Sequence, residues 1–201
     1  MSTSFWDERY QAREFAYGTA PNDFLVENAA YLPPRGRLLL PADGEGRNSV
    51  WLAERGYRPT AVDFSSVGLE KARTLAAERG VAIETVHTDL TDWDWPEDTF
   101  DGVVAVFCHL PPGHRQYVHR AMLGALRPGG RLLLEAYTPD QLAYRTGGPP
   151  VEEMLYSRAA LEEDFAGAAI LHLEEKVRPV MEGKYHHGDG AVIQLVAERP
   201  A

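Results

Sequence analysis

A single cysteine, Cys108, stands in 201 residues. No intramolecular disulfide can form, so a reducing compartment is expected. Long apolar runs are missing too, and nothing approaches the ~20 residues of a membrane-spanning helix. The opening Met1–Glu8 has neither the basic nor the apolar region of a secretion signal, which adds to the expectation of a cytoplasmic location. Positive charge is scarce: 20 Lys and Arg against 30 Asp and Glu give a formal net charge of -10. No basic run breaks this balance. Such a surface repels phosphate backbones and anionic lipid, so neither nucleic acid nor membrane is expected as partner, and a small molecule is. Repeats and low-complexity tracts are also absent. What is present is an ordinary globular balance, 44% hydrophobic and 25% charged, in a length that suits one domain, as a monomer or homodimer.

The middle of the chain alternates short apolar runs with helix-like ones. Residues 37–42, 58–64, 81–87, 100–107 and 131–137 read as strands. Helices are expected over 49–56, over the stretch capped by Ser65, and over 114–126, the last stopped by Arg127-Pro128-Gly129-Gly130. This alternation predicts βαβ units: an α/β, Rossmann-like doubly wound sheet of about seven mostly parallel strands, with helices on both faces. The helix 157–166 precedes two more strands, 168–177 and 191–198, expected as a C-terminal antiparallel hairpin. Gly183, Gly188 and Gly190 fall in the turn between them. Residues 138–150 read as a loop over the strand ends. The Trp-rich stretch 91–101 reads as a packed loop, with Trp95 against the helix layer.

The first strand runs into Asp43-Gly44-Glu45-Gly46, and a helix follows. A glycine turn at the carboxyl end of a parallel strand lets a ligand approach the backbone, beside the free N–H groups of the helix. A dinucleotide site would carry a third glycine where Ser49 stands. Asp43 and Glu45 also set two carboxylates where a pyrophosphate would sit, so the turn suits a cation such as a sulfonium or an amino group. Asp63, at the tip of the second strand, lies 63 − 44 = 19 residues after Gly44. An acid there can accept both ribose hydroxyls of an adenosine. Asp89, after the third strand, can accept from an adenine amino group, with Leu90 packing on the ring.

Together these residues resemble the class I S-adenosylmethionine-dependent methyltransferases, over nearly the whole chain. Ala42-Asp43-Gly44-Glu45-Gly46 matches the family's glycine motif, with Ala42 for the first glycine and Leu40 for the strand acid. Asp43 is then the substitute partner for the methionine amino group. The resemblance implies S-adenosylmethionine as cofactor, held by Asp43, Gly44, Glu45, Gly46, Asn48, Asp63, Phe64, Ser65, Asp89, Leu90 and Phe107. Residues 126–137 match the family's fifth-strand region. The segments 5–27 and 43–57 resemble the small bacterial tellurite-resistance and thiopurine-type enzymes, which act on small polarisable acceptors such as thiols and selenium or tellurium compounds. In such proteins the opening segment folds over the cofactor. Residues 1–34 are therefore expected as a lid bringing Tyr17, Gly18, Pro21 and Asn22 to the site, 35–137 as the cofactor-binding core, and 138–201 as the acceptor side.

His109, after the fourth strand, is the expected general base, since an imidazole titrates near cellular pH. Tyr17 is the second expected catalytic residue, facing the sulfonium or the acceptor. Of the adjacent His186 and His187, at most one can face a pocket. Tyr144 and Arg145 are expected on the acceptor side, Arg145 for an oxyanion and Arg178 as its alternate. No metal is expected: His114 and His119 sit about 140° apart on a helix, and Cys108 next to His109 chelates poorly. Two other readings stay open: a regulator that binds the cofactor without turnover, and a nicotinamide oxidoreductase, which Ser49 and the acidic turn disfavour.

Overall fold

Arg37–Pro41 forms β1, in the interior of a seven-stranded sheet, in a computed structural model that describes residues 3–201. Leu38, Leu39 and Leu40 are all buried, because helices cover both faces of this part of the sheet. The parallel partners are β2 (Arg58–Asp63), β3 (Glu84–His87), β4 (Phe100–Val106) and β5 (Leu126–Tyr137). The long strands β6 (Ala169–Met181) and β7 (His187–Glu198) form the antiparallel hairpin, and the sheet order is β3-β2-β1-β4-β5-β7-β6.

The helices are α1 (Thr3–Tyr10), α2 (Asp23–Asn28), α3 (Arg47–Glu54), α4 (Ser66–Glu78), α5 (Arg115–Ala125), α6 (Gln141–Tyr144) and α7 (Arg158–Asp164). Val118 and Met122 of α5 and Leu161 of α7 pack on Leu39, Val103, Leu134 and Leu195 from one face of the sheet. Phe24 and Leu25 of α2 and Leu52 of α3 pack on Leu38, Leu40, Val104 and Val196 from the other. Ser65 and Ser157 cap α4 and α7 through their side chains, as their sequence positions suggested.

Several boundaries moved for identifiable reasons. β3 starts at Glu84 rather than 81, because Val81 closes α4 by packing on Leu75 and Ala76. α5 ends at Ala125, just before Arg127-Pro128-Gly129-Gly130, as expected, but β5 starts at Leu126 rather than 131: this stretch stays extended while the Gly129 N–H donates to the Arg199 carbonyl at 2.8 Å. Gly188 and Gly190 lie inside β7, which leaves residues 182–186 as the hairpin connection. The expected loop at 138–150 contains α6. Trp95 donates its indole N–H to the Leu90 carbonyl at 3.0 Å, and Trp93 and Trp95 both pack against the core. Among the described residues no helix is long and apolar enough to cross a membrane.

Candidate active site

The strands β2, β1, β4 and β5 are neighbours in that order, and their carboxyl ends deliver Asp63, Asp43, Phe107 and Tyr137 to one crevice. The chain winds outward in opposite directions from β1 and β4, the place in an open α/β sheet where ligands settle. One half of the crevice is acidic and the other aromatic.

In the acidic half Asp63 is buried and pinned by backbone. Its Oδ2 accepts from the Gly44 N–H at 2.7 Å and its Oδ1 from the Ser65 N–H at 2.8 Å. Each oxygen keeps a second lone pair. Burial pushes its carboxyl up to about 6 against these backbone hydrogen bonds. Asp43 Oδ2 accepts from the Ser49 hydroxyl at 2.5 Å, whereas Asp43 Oδ1 is buried with no partner among the described residues. Burial raises the Asp43 carboxyl to about 7, with the Ser49 hydrogen bond opposing and Asp63 adding to the rise. A buried carboxylate oxygen without a donor is costly until a cation reaches it.

Several of the expected cofactor residues make contacts within the fold. The Glu45 carboxylate pairs with Lys71 at 2.5 Å and accepts from the Ala16 N–H at 2.7 Å. Asn48 Oδ1 accepts from the Asn22 N–H at 3.0 Å. Ser65 caps α4 and donates its hydroxyl to Asp7 at 2.6 Å. These three side chains therefore hold the N-terminal segment down. Gly46 answers to packing: a Cβ there would lie 2.6 Å from Ala72 Cβ, at a φ of +86°. Gly46→Ala is expected to lower stability by about 1–3 kcal/mol in chemical denaturation, since α3 and α4 would have to separate. Asp89 accepts from the Thr91 N–H and hydroxyl at 2.9 and 2.8 Å, while Leu90 joins the core with its carbonyl taken by Trp95. Phe64 is half-buried, and its carbonyl sits 3.1 Å from His87 Nε2.

The N-terminal segment lies directly over the glycine turn. Tyr10 is buried, with its ring against Gly44 and Gly68. Lys71 reaches the carbonyls of Ala12 and Glu14 at 2.8 and 2.7 Å. Arg9 donates to the Tyr17 hydroxyl at 2.9 Å and stacks over Tyr185 at 4.3 Å.

The aromatic half is built from Tyr17, Phe107, Tyr137 and His186. Phe107 stacks on Tyr137 with ring centroids 4.5 Å apart, and His186 stands edge-on to both at 4.8 and 5.3 Å. Tyr17 closes the group 4.7 Å from His186. Of the histidine pair, His186 is buried in this group and His187 is exposed. His109 is not free to act as a base: its Nδ1 donates to the Met154 carbonyl at 2.8 Å and its Nε2 accepts from the Tyr137 N–H at 3.2 Å. Burial, against the Met154 bond, lowers it to about 4. It positions β5 instead. Tyr144 and Arg145 are exposed, and Arg178 is bound by Glu135.

The profile of a methyltransferase domain matches residues 41–130, from the end of β1 through β5's first turn. A probable thiol methyltransferase of Arabidopsis thaliana is 26% identical over 89% of this chain and 80% of its own length. A thiopurine S-methyltransferase of Xanthobacter autotrophicus is 35% identical over 42% of this chain and 40% of its own. The chain is a class I S-adenosylmethionine-dependent methyltransferase. The crystal structure of TehB from Haemophilus influenzae shares its fold, with a TM-score of 0.73 over 98% of this chain and 66% of that one, at 18% identity. The nicotinamide reading falls with this assignment.

The methyltransferase also carries a buried polar network that sequence reasoning did not find. Glu135 on β5 is fully buried and accepts from Asn22 at 2.6 Å, from Gln194 at 2.6 Å and from Arg178 at 2.9 and 2.5 Å. Glu182, in the hairpin connection, accepts from Asn22 at 2.9 Å, from Arg47 at 2.5 Å and from Arg178 at 3.2 Å. Burial opposes the charge of Glu182, but Arg47, His186 and Arg178 outweigh it and hold the carboxyl down at about 2. The one available signal was a glutamate inside the apolar run Leu132–Tyr137, a residue type that enters a central strand only when paired.

Proposed function

We propose that this methyltransferase binds S-adenosylmethionine over the acidic half of the crevice and methylates a small polarisable acceptor, a thiol or a selenium or tellurium oxyanion, over the aromatic half. The observation that carries the reading is the buried, unpartnered Asp43 Oδ1 beside the glycine turn, a fixed acceptor atom whose ionised form suits the ammonium group of the methionine moiety. Asp63 accepts the ribose hydroxyls with its two remaining lone pairs, and Asp89 and Leu90 border the adenine. The cofactor supplies a methyl group already activated by positive sulfur: the acceptor's lone pair takes the carbon, and the carbon–sulfur pair returns to sulfur. The chain's own work is positioning and exclusion of water. Phe107 and Tyr137 form a flat wall behind the transfer path, and Tyr17 closes it from the N-terminal segment. Residues 1–34 act as a lid, 35–137 as the cofactor core and 138–201 as the acceptor side, in a cytoplasmic monomer or homodimer. The relatives named for thiol and thiopurine methylation support the acceptor class.

Calorimetric titration with the demethylated product, S-adenosylhomocysteine, tests this. Asp63→Ala is expected to weaken binding by about 2 kcal/mol, roughly thirtyfold, because ribose hydroxyls lose a charged acceptor. Unchanged affinity would remove Asp63 from the site. Failure of the wild-type protein to bind at all would remove the whole reading.

A further inference from the structure

Ala16 is held from both halves of the crevice at once. On the acidic side Glu45 Oε2 accepts from the Ala16 N–H at 2.7 Å and from the Tyr17 N–H at 3.4 Å. On the acceptor side the Lys184 N–H donates to the Ala16 carbonyl at 2.9 Å. Gly183 is pressed against the same spot: a Cβ there would lie 2.5 Å from Ala16 O and 2.5 Å from Tyr17 Cα, at a φ of +73°. The two anchors come from distant parts of the chain, the glycine turn and the hairpin connection 182–186. Within that connection the Glu182 N–H donates to the His186 carbonyl at 2.8 Å. This closes the turn that sets His186 against Tyr17, Phe107 and Tyr137.

Little else holds the stretch to which Ala16 belongs. Residues 11–21 carry neither helix nor strand, and between buried Tyr10 and buried Asn22 only Ala16 is buried. A cleft of about 470 Å³ lies between residues 10–13 and the start of α4, at Ser66, Val67, Glu70 and Lys71. Lys71 ties its two sides together, reaching the Ala12 and Glu14 carbonyls while pairing with Glu45 Oε1 at 2.5 Å. A segment with few apolar contacts and a handful of polar ties opens locally long before the fold does. The position of the Glu45 carboxylate therefore governs whether it stays closed. Glu45 stands between Gly44 and Gly46, in a turn fixed by the Gly44 N–H on Asp63 and by the Gly46 N–H on the Asp43 carbonyl at 3.2 Å. A ligand that rests on this turn and draws on Asp43 and Asp63 binds best to one arrangement of it, and so shifts the segment toward closure.

We propose that Ala16–Gly18 is a strap coupling the two halves of the site: a cofactor on the acidic half fixes Glu45, Glu45 holds the strap, and the strap holds the hairpin connection that carries His186 into the aromatic wall. This rests on the methyl-transfer reading above and deepens it. Glu45 is then a positioning residue, acting on the transfer through main-chain atoms of the strap. The acceptor wall is complete only when the cofactor is in place, so the acceptor binds second. The coupling is reciprocal, and an occupied acceptor side tightens the hold on the cofactor by the same factor.

Amide hydrogen exchange tests this, read by NMR on the full isotope-labelled chain with and without saturating S-adenosylhomocysteine. In the wild type the ligand is expected to slow exchange about tenfold at Ala16 and, across the strap, at Lys184. In Glu45→Ala the slowing at Lys184 should be lost although the ligand occupies the turn. In Gly183→Ala, which forces the strap off the hairpin connection, slowing should persist at Ala16 and be lost at Lys184. Should Glu45→Ala fail to fold, Lys71→Gln removes the ion pair from its more accessible end and is expected to show the same loss. A Glu45 that served stability alone would speed exchange equally with and without ligand, leaving the slowing at Lys184 as in the wild type, and that result overturns the proposal. So does a wild type that binds S-adenosylhomocysteine with no slowing at Lys184. A wild-type chain that does not bind S-adenosylhomocysteine overturns the earlier reading and this one with it.

Discussion

Glu135→Ala is expected to destabilise the protein by about 3–5 kcal/mol and to lower its melting temperature by roughly 10 °C. The carboxylate is fully buried, and its removal strands the Arg178 guanidinium together with the amides of Asn22 and Gln194. An uncompensated buried charge costs more than the pair contributed in the first place. Differential scanning calorimetry measures the loss. The double variant Glu135→Leu, Arg178→Met should lose less than the sum of its single changes, because the second removes the charge that the first exposed. Strict additivity would show that the two residues act independently. The same network ties α2 to β5 and to the β6–β7 connection, so Glu135→Ala should also loosen the segment that covers the crevice.

Asp43→Asn is expected to weaken S-adenosylhomocysteine binding by about 2–3 kcal/mol, the scale of a hydrogen bond between charged groups. It also carries a pH signature. Burial holds the free carboxyl near 7, and a bound ammonium favours its ionised form, so the complex holds fewer protons than the free protein. Affinity should then fall as pH drops below about 7. Calorimetry over a range from about two units below to one unit above that value tests this. In Asp43→Asn the acidic limb should vanish. An acidic limb that survives the substitution would assign it to another group, with Asp63 next in line.

The fold was readable because its determinants are local. Apolar runs such as Leu38–Leu40 fit only a strand covered on both faces, and alternation with capped helices then dictates a parallel sheet. The acids at the strand tips were readable for the same reason: a turn that follows a strand must lie at its carboxyl end. Side-chain partners were another matter. Glu45 and Asn48 sit at the glycine turn and Ser65 follows β2, yet they reach residues 26 to 58 positions away in the N-terminal segment, a choice no spacing rule makes. His109 looked like a base by position and turned out to be a hydrogen-bonded strut, because Met154 and Tyr137 meet it from distant stretches of chain.

The sequence alone determined that this chain builds an open α/β sheet with a glycine turn and carboxylates at the strand ends, since periodicity, capping and turn chemistry act over a few residues. Only the tertiary structure decided which polar atoms are left without partners: Asp43 Oδ1 on one side of the crevice, Arg47 Nη1 and Tyr137 Oη on the other. Whether a buried donor or acceptor is satisfied depends on every element that packs around it, and that sum exists only once the chain has closed on itself.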